Sequence, residues 1–443
     1  MGRHIDHRGG GLNVMATDKD IIFVSAPRDE DDLITISNTD ASYAECKFEI
    51  SKLFVDKKYD KWLDYLGDDA VVKSLSESGG SWSNYVKASV ARVQFENEEL
   101  LCGMDMMADG TIPVAAGLSS SSSIVVAVME AVVALNCLNI TDREFIELCG
   151  EGEWFVGSRG GAGDHAAIKC SKRDSITHLS FKPFAVGENA RFSDKYAVIV
   201  ANSMIKAKKS EGSKDKFNAQ IAAYEFGFML LKRSFPEYHL VELRDVSRIR
   251  PYSKIYEMLK VLPEKITREE IKNLLPEYIK TIEVIFKNHK DPGYYDLRGV
   301  SLFGISECAR GDRCMQVLND GNYHLLGEMM KISHNGDRCG SLGISDSELD
   351  RLTLENADIA LQYGAYDCSI PEIDYMCDTL NKEEGVLGSE LAGAGLGGCV
   401  IALVEKDKAD KVIECLNTKY YDKYNYPYSA QIFAPSPGSC VLF

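Results

Sequence analysis

The 443-residue chain is 45% hydrophobic, and its 50 Lys and Arg face 67 Asp and Glu for a formal charge of −17. That apolar fraction over that length predicts two or three domains with a large core, and the acidic balance argues against a general nucleic-acid surface. The 13 cysteines are scattered and odd in number, with no C-x-x-C pair, which disfavours a zinc site or a secreted disulfide framework. No stretch has the length of a membrane span, and the opening MGRHIDHRGG lacks the apolar core of a signal peptide, so a soluble cytoplasmic protein is expected.

Residues 21–24 and 33–36 read as short strands on either side of the turn-forming PRDED, and 45–54 extends that sheet. Residues 82–95 read as helix, 104–113 as strand and 119–135 as helix. Thr141 opens a further helix through Gly152, after which the glycine cluster SRGGAGDH precedes a short helix at 166–170. The continuous apolar run YAVIVAN at 196–202 suits a central strand and the entry to a second domain. The lysine- and glycine-rich stretch 206–216 reads as a solvated loop, or as a basic loop able to reach a nucleotide. Helices follow at 217–233 and 267–287, and 391–405 reads as a glycine turn and then a strand. This irregular mixture predicts an α+β fold, and no internal repeat is present.

The segment TIPVAAGLSSSSSIVVAVMEAVVAL at 111–135 is the most informative. Ile124, Val125, Val126, Val128, Val132, Val133 and Leu135 leave Glu130 as the single charged residue, so the helix is expected to be buried nearly all round. Gly117 followed by five serines places free N–H groups and hydroxyls at the positive end of that helix, a setting that suits a polyphosphate. The plainer alternative is an ordinary N-cap. LAGAGLGGC, with Gly393, Gly395, Gly397 and Gly398, contains a GxGxxG pattern, but it precedes a strand instead of opening a helix. That order disfavours a dinucleotide site and leaves close backbone approach as the reason for glycine.

Together, HIDHRGGGLNVMA, WSNYVK, PVAAGLSSSSS, GSRGGAGDH, LRDVS, SHNGDR, CSIPEID and GSELAGAGLGGC resemble, in order, motifs of the GHMP kinases, and of the galactokinase branch in particular. The resemblance implies a two-domain fold, 1–194 and 195–443, with the active site in the interdomain cleft. It implies transfer of the γ-phosphate of Mg-ATP to the anomeric hydroxyl of galactose or a galactose-like sugar, by a monomer or small homo-oligomer with no nucleic-acid or membrane partner. By the same resemblance, Gly117, Leu118, Ser119, Ser120, Ser121 and Ser122 hold the phosphates, Trp82 belongs to the ATP site, and Ser121 supplies the hydroxyl on the metal side. Asp164 matches the catalytic aspartate, accepting the anomeric proton; the alternative is a cap on the short helix that follows. Arg3, His4, Asp6 and Phe217 fall at sugar-binding positions, Phe217 and Asn218 where the family has Tyr-Asn. His4, Asp6 and His7 are alternatively metal ligands. Tyr366 precedes CSIPEID, and His165 stands where galactokinases have glutamine.

The chain departs from the family in three places. Arg3 replaces the signature glutamate near the C6 hydroxyl, and a guanidinium fork suits a carboxylate. A uronic acid such as galacturonate is therefore an expected substrate, and HIDHRGG also resembles plant galacturonokinases; the alternative is an exposed arginine near the terminus. The family's A-P-x-R-x-N-L-x-G does not precede the signature, which leads to the expectation of an upstream start, a missing strand and catalytic arginine, and weak activity. The magnesium glutamate falls at Gly152, flanked by Glu151 and Glu153, and one residue rotates a side chain about 100° around a helix. Glu153 is assigned to magnesium. A rival reading is a catalytically weak galactokinase-like sensor of sugar and nucleotide.

Overall fold

The computed structural model describes residues 1–443 except 55–58, 79–80, 114–116, 158–160, 207–210, 342 and 443, and describes no side chain at 76 or 211–214. It divides into two compact units. One comprises Met1–Asn13, Ala115–Leu118 and His178–Ala434, and the other Val14–Val114, Ser119–Thr177 and Pro435–Phe443.

In the Val14 unit a four-stranded sheet runs in the order Ile21–Arg28, Gly103–Gly110, Leu33–Asn38, Cys46–Glu49. Leu33–Asn38 lies parallel to Gly103–Gly110, and the other pairs are antiparallel. Ile34 and Ile36 alternate inward beside Met104, Met106 and Ala108, the period of two expected of a sheet with one buried face. Two expectations need correcting here. Ile21–Arg28 continues through Pro27, because an edge strand tolerates a residue without an N–H. The strand predicted at 45–54 stops at Glu49 and turns into a 3₁₀ segment, Ile50–Lys52.

The helices of this unit are Ser83–Glu96, Ser120–Leu135, Asp142–Glu153 and Gly163–Cys170, besides the shorter Trp62–Leu66 and Asp69–Glu77. Ser120–Leu135 packs against the helices before and after it and exposes no residue, as its apolar sequence predicts. Thr141 starts Asp142–Glu153 with a capping box, its side chain taking the Glu144 N–H while the Glu144 carboxylate takes the Thr141 N–H.

In the Met1 unit an antiparallel sheet runs Ala430–Phe433, Tyr196–Asn202, Cys399–Glu405, Val386–Leu391. YAVIVAN is an interior strand, as its unbroken apolar run requires. Helix Glu211–Ser234 begins before the predicted 217, so the end of the basic stretch is helical; 207–210 lie outside the described residues. The helix expected at 267–287 is two, Arg268–Leu274 and Ile279–Phe286, separated by a 3₁₀ turn at Pro276–Tyr278. Pro276 lacks the N–H a continuous helix needs, and Leu275 before it leaves the helical region at φ −126°, ψ 51°. Leu297–Asn319, capped by Asp296 through the Gly299 N–H at 2.7 Å, threads the core and takes charged side chains inside with it. Tyr323–Asp337 and Pro371–Leu380 pack against strand Val386–Leu391. Among the described residues every cysteine is a free thiol, and no helix is long and apolar enough to cross a membrane.

Candidate active site

The serine run lies at the start of helix Ser120–Leu135. Ser119 occupies the N-cap in a left-handed conformation, φ +54°, and its side chain makes no cap. Ser123 turns back onto the Ser119 carbonyl, with its Oγ at 3.0 Å. Ser122 Oγ donates to Glu153 Oε2 at 2.9 Å, and the Ser121 side chain bonds the same carboxylate. His165 Nε2 stands 2.9 Å from that oxygen. Burial raises the cost of ionising Glu153, yet His165 and the two serines outweigh it and hold the carboxyl below its usual range.

The other flanking glutamate points elsewhere. Glu151 Oε2 accepts from Arg92 Nε at 2.9 Å and Nη2 at 2.7 Å. Of the two candidates beside Gly152, Glu153 is thus the one brought to the serines. Hard oxygen donors gathered in this way, two hydroxyls and a carboxylate, fit a magnesium ion.

Asp164 is exposed in the first turn of Gly163–Cys170, where a negative charge is favoured by the helix dipole. The helix starts three residues before the predicted 166. Its N-cap is Ala162, so Asp164 does not cap it. His165, the next residue, is buried against Glu153, which ties the start of this helix to the serine cluster. Trp82 precedes helix Ser83–Glu96 and meets Tyr43 edge-on at 5.9 Å between ring centroids. Its buried indole N–H has no hydrogen-bond partner among the described residues.

In the Met1 unit the two glycine motifs are neighbours. Gly117, φ +74°, faces the loop joining Val386–Leu391 to Cys399–Glu405, and a Cβ on Gly393 would lie 3.1 Å from the Gly117 carbonyl. A Cβ on Gly395 would fall 2.2 Å from the Cys368 carbonyl, which is itself bonded by the Leu396 N–H at 2.7 Å. Gly397 and Gly398 also take positive φ, and the Gly398 N–H reaches the Ile205 carbonyl at 2.9 Å. Close backbone approach is the use of these glycines, as their position before a strand suggests.

The residues near the N-terminus gather with others far along the chain. His4, at φ +62°, stacks on Tyr366 at 4.5 Å and meets Phe217 edge-on at 6.3 Å. Burial, with the nearby charges of Arg3 and His7, pushes the His4 imidazole down to about 3, so it is neutral. Asp6 Oδ1 lies 3.0 Å from His7 Nδ1; burial opposes its ionisation, but His7 holds it below the ordinary range. Asn218 is committed to the Asn288 carbonyl at 2.8 Å.

Arg3 is not the exposed terminal arginine of the plainer reading. Its side chain is 12% exposed, and Nη2 lies 2.5 Å from Asp337, 2.9 Å from Ser333 Oγ and 3.4 Å from Glu390. Nε and Nη1 have no hydrogen-bond partner among the described residues. Beneath it, Glu307 accepts the Gly2 and Arg3 N–H groups at 2.6 and 3.2 Å and pairs with Arg310 at 2.7 Å, both side chains fully buried. Burial works against that carboxylate, but Arg310 and Arg3 bring it down to about 2.

Metal-ligand atoms do not group as His4, Asp6 and His7. Among the described residues the group of three is His4, Asp337 and Cys368. Glu307, Arg310, Asp337, Cys368 and Glu390 were not singled out from sequence. The signal for the first two was Glu307 and Arg310 at i, i+3 within the apolar run LFGISECARG; the others lie inside SHNGDR, CSIPEID and GSELAGAGLGGC without any local mark of their pairing.

Comparison with known proteins places this geometry in context. Residues 84–172 match the GHMP kinases N terminal domain, and 314–422 the GHMP kinases C terminal. The chain is 24% identical to the galactokinase of Saccharomyces cerevisiae, covering 100% of this chain and 89% of that protein. It is 24% identical to the galactokinase of Clostridium acetobutylicum, covering 99% and 91%. Its fold is similar to the crystal structure of Lactococcus lactis galactokinase complexed with galactose, with a TM-score of 0.69 and 20% identity over 100% of this chain and 92% of that one.

Proposed function

The chain belongs to the GHMP kinases, on the galactokinase branch, and from that premise we propose that it is a sugar 1-kinase, transferring the γ-phosphoryl group of ATP to the anomeric hydroxyl of galactose or a close relative. The observation that carries this reading is the convergence of Ser121, Ser122 and His165 on the Glu153 carboxylate, His165 being the residue that follows Asp164.

Phosphoryl transfer needs position and charge stabilisation more than covalent catalysis. The uncapped backbone N–H groups at the start of Ser120–Leu135, with the Gly117–Leu118 turn, donate to phosphate oxygens. Ser121 and Glu153 would hold Mg2+, which when bound neutralises charge on the phosphates. His165 keeps the Glu153 carboxylate turned to the serines. Asp164 orients the anomeric hydroxyl and accepts its proton. Asp6 accepts a hydrogen bond from a sugar hydroxyl, neutral His4 bonds another, and Phe217 offers an apolar edge with no hydroxyl. With its cysteines free, the enzyme suits the reducing cytoplasm.

A second substrate reading, galacturonate, is favoured by two donors of Arg3, Nε and Nη1, that have no hydrogen-bond partner among the described residues. Against it stand Asp337 and Glu390, which already supply negative charge to the same guanidinium. ADP release should be measured with Mg-ATP and galactose, N-acetylgalactosamine, arabinose, galacturonate or glucuronate, alongside thermal shift with each sugar. Sugar-dependent ADP release that disappears in Asp164→Asn is expected, with galactose turned over faster than galacturonate. A sugar that raises the melting temperature while none of the panel stimulates ADP release would overturn the kinase reading in favour of a sensor.

A further inference from the structure

His4, Asp337 and Cys368 come from three distant parts of the chain, and their donor atoms form one buried triangle. Cys368 Sγ lies 3.3 Å from His4 Nε2 and 3.0 Å from Asp337 Oδ1, and the last two are 3.8 Å apart. Zinc bonds of about 2.3 Å to sulfur, 2.0–2.1 Å to nitrogen and 2.0–2.2 Å to oxygen, set at tetrahedral angles, separate their ligands by roughly 3.4–3.6 Å. The sulfur–nitrogen edge, 3.3 Å, lies near that span; the sulfur–oxygen edge, 3.0 Å and made by a thiol hydrogen bond, is shorter, and the nitrogen–oxygen edge, 3.8 Å, is longer, so the side chains must shift by about half an ångström to seat the cation.

The ligands are also held from outside. Arg3 Nη2 takes the other oxygen of Asp337 at 2.5 Å, leaving Oδ1 to the triangle. The His4 ring is stacked on Tyr366 and flanked by Phe217, which fixes its plane. Outer contacts of this kind orient the ligands of metal centres. One sulfur, one imidazole nitrogen and one carboxylate oxygen select a zinc-class cation over magnesium. Three protein ligands leave a fourth coordination position for water or solute.

We propose that His4 Nε2, Asp337 Oδ1 and Cys368 Sγ form a binding site for a thiophilic divalent cation, zinc being the best fit. On binding, a metal–sulfur bond forms as the Cys368 S–H bond breaks, and the proton passes to the buffer. Where His4 also serves the sugar, which rests on the function proposed above, the cation competes with sugar; the cation site itself does not depend on that reading.

The full chain, freed of metal with a chelator, should be titrated with Zn2+ against a chromophoric competitor and with Co2+ as a spectroscopic probe. One equivalent is expected, with a thiolate-to-cobalt charge-transfer band and the strong visible absorption of tetrahedral Co2+. Cys368→Ser should abolish the charge-transfer band and weaken Zn2+ binding at least about tenfold, whereas Cys339→Ser, at an exposed thiol, should leave both unchanged. A band that is absent from the wild type, or that survives in Cys368→Ser, would overturn the site. Zinc-edge X-ray absorption of the loaded wild-type chain needs no variant: a single sulfur among nitrogen and oxygen neighbours supports the proposal, and none or several refutes it. Zn2+ inhibition competitive with sugar is expected in the kinase assay. One-equivalent binding without that competition would keep the cation site and remove His4 from the sugar.

Discussion

Ser122 and Glu153 meet through a 2.9 Å hydrogen bond across 31 positions of sequence, and Glu153 reaches it from one residue beyond the position its family match would assign. The turn of Asp142–Glu153 that brings it there sends Glu151 to Arg92 instead. Glu153→Gln should therefore raise the magnesium concentration needed for half-maximal rate and lower kcat, by roughly 100-fold together. Glu151→Gln should leave the magnesium dependence as it is. Steady-state titration of both variants with Mg2+ separates the two glutamates.

His165 contacts Glu153, and in the proposed kinase it acts as a positioning residue through that carboxylate. His165→Ala should weaken apparent magnesium affinity by about 10–100-fold while retaining sugar binding. A nucleotide-binding titration by calorimetry with and without Mg2+ reads this apart from turnover. Equal loss of nucleotide affinity in both conditions would mean that the imidazole merely supports packing.

Asp164 is exposed in the first turn of Gly163–Cys170 and is not its N-cap, and asparagine keeps its side-chain shape while removing the charge. Asp164→Asn should lower kcat by at least about 100-fold and move stability by no more than about 0.5 kcal/mol. Parallel rate and thermal-melt measurements check the pair of outcomes; a large fall in melting temperature would reassign the residue to structure.

Glu307 pairs with Arg310 where neither side chain reaches solvent. Glu307→Gln leaves that arginine uncompensated and should cost about 3–5 kcal/mol, read by denaturant unfolding. The native carboxyl sits at about 2, below its ordinary 4.5. Its contribution is therefore complete above 4.5 and is lost as pH falls through about 2. The stability gap between wild type and variant should narrow across that window and stay constant from pH 5 to 7.

Gly395 holds φ +81° with the Cys368 carbonyl where a side chain would begin. Gly395→Ala should destabilise the chain by at least about 1–3 kcal/mol, the scale of a strained left-handed residue, before the clash is added. Gly340→Ala, also at positive φ but with open space around it, should cost only the conformational part. Comparing the two melts isolates the contact.

Much of the local structure was legible in the sequence. The alternating residues of 33–36, the unbroken YAVIVAN, the Thr141 cap and the apolar 120–135 each carry their own periodicity or end signal, and each formed the element it announced. Pro276 was an equally local signal and broke the helix expected to run past it. The long Leu297–Asn319 helix was harder to see, because Arg310, Glu307 and its serines and glycines interrupt the apolar pattern that would mark a core helix.

By itself, the sequence determined several of the helices and strands, where the glycine and serine turns fall, and which residues resemble the family's motifs, because backbone periodicity and turn chemistry act over a few residues. Only the tertiary structure decided the partners of the charges: Arg3 with Asp337 and Glu390, Glu153 and not Glu151 with the serines, and His4 with Cys368. Those pairings join groups tens to hundreds of positions apart. A buried charge or thiol must take whatever complement the packing brings within reach, and nothing in its immediate neighbours records which one that will be.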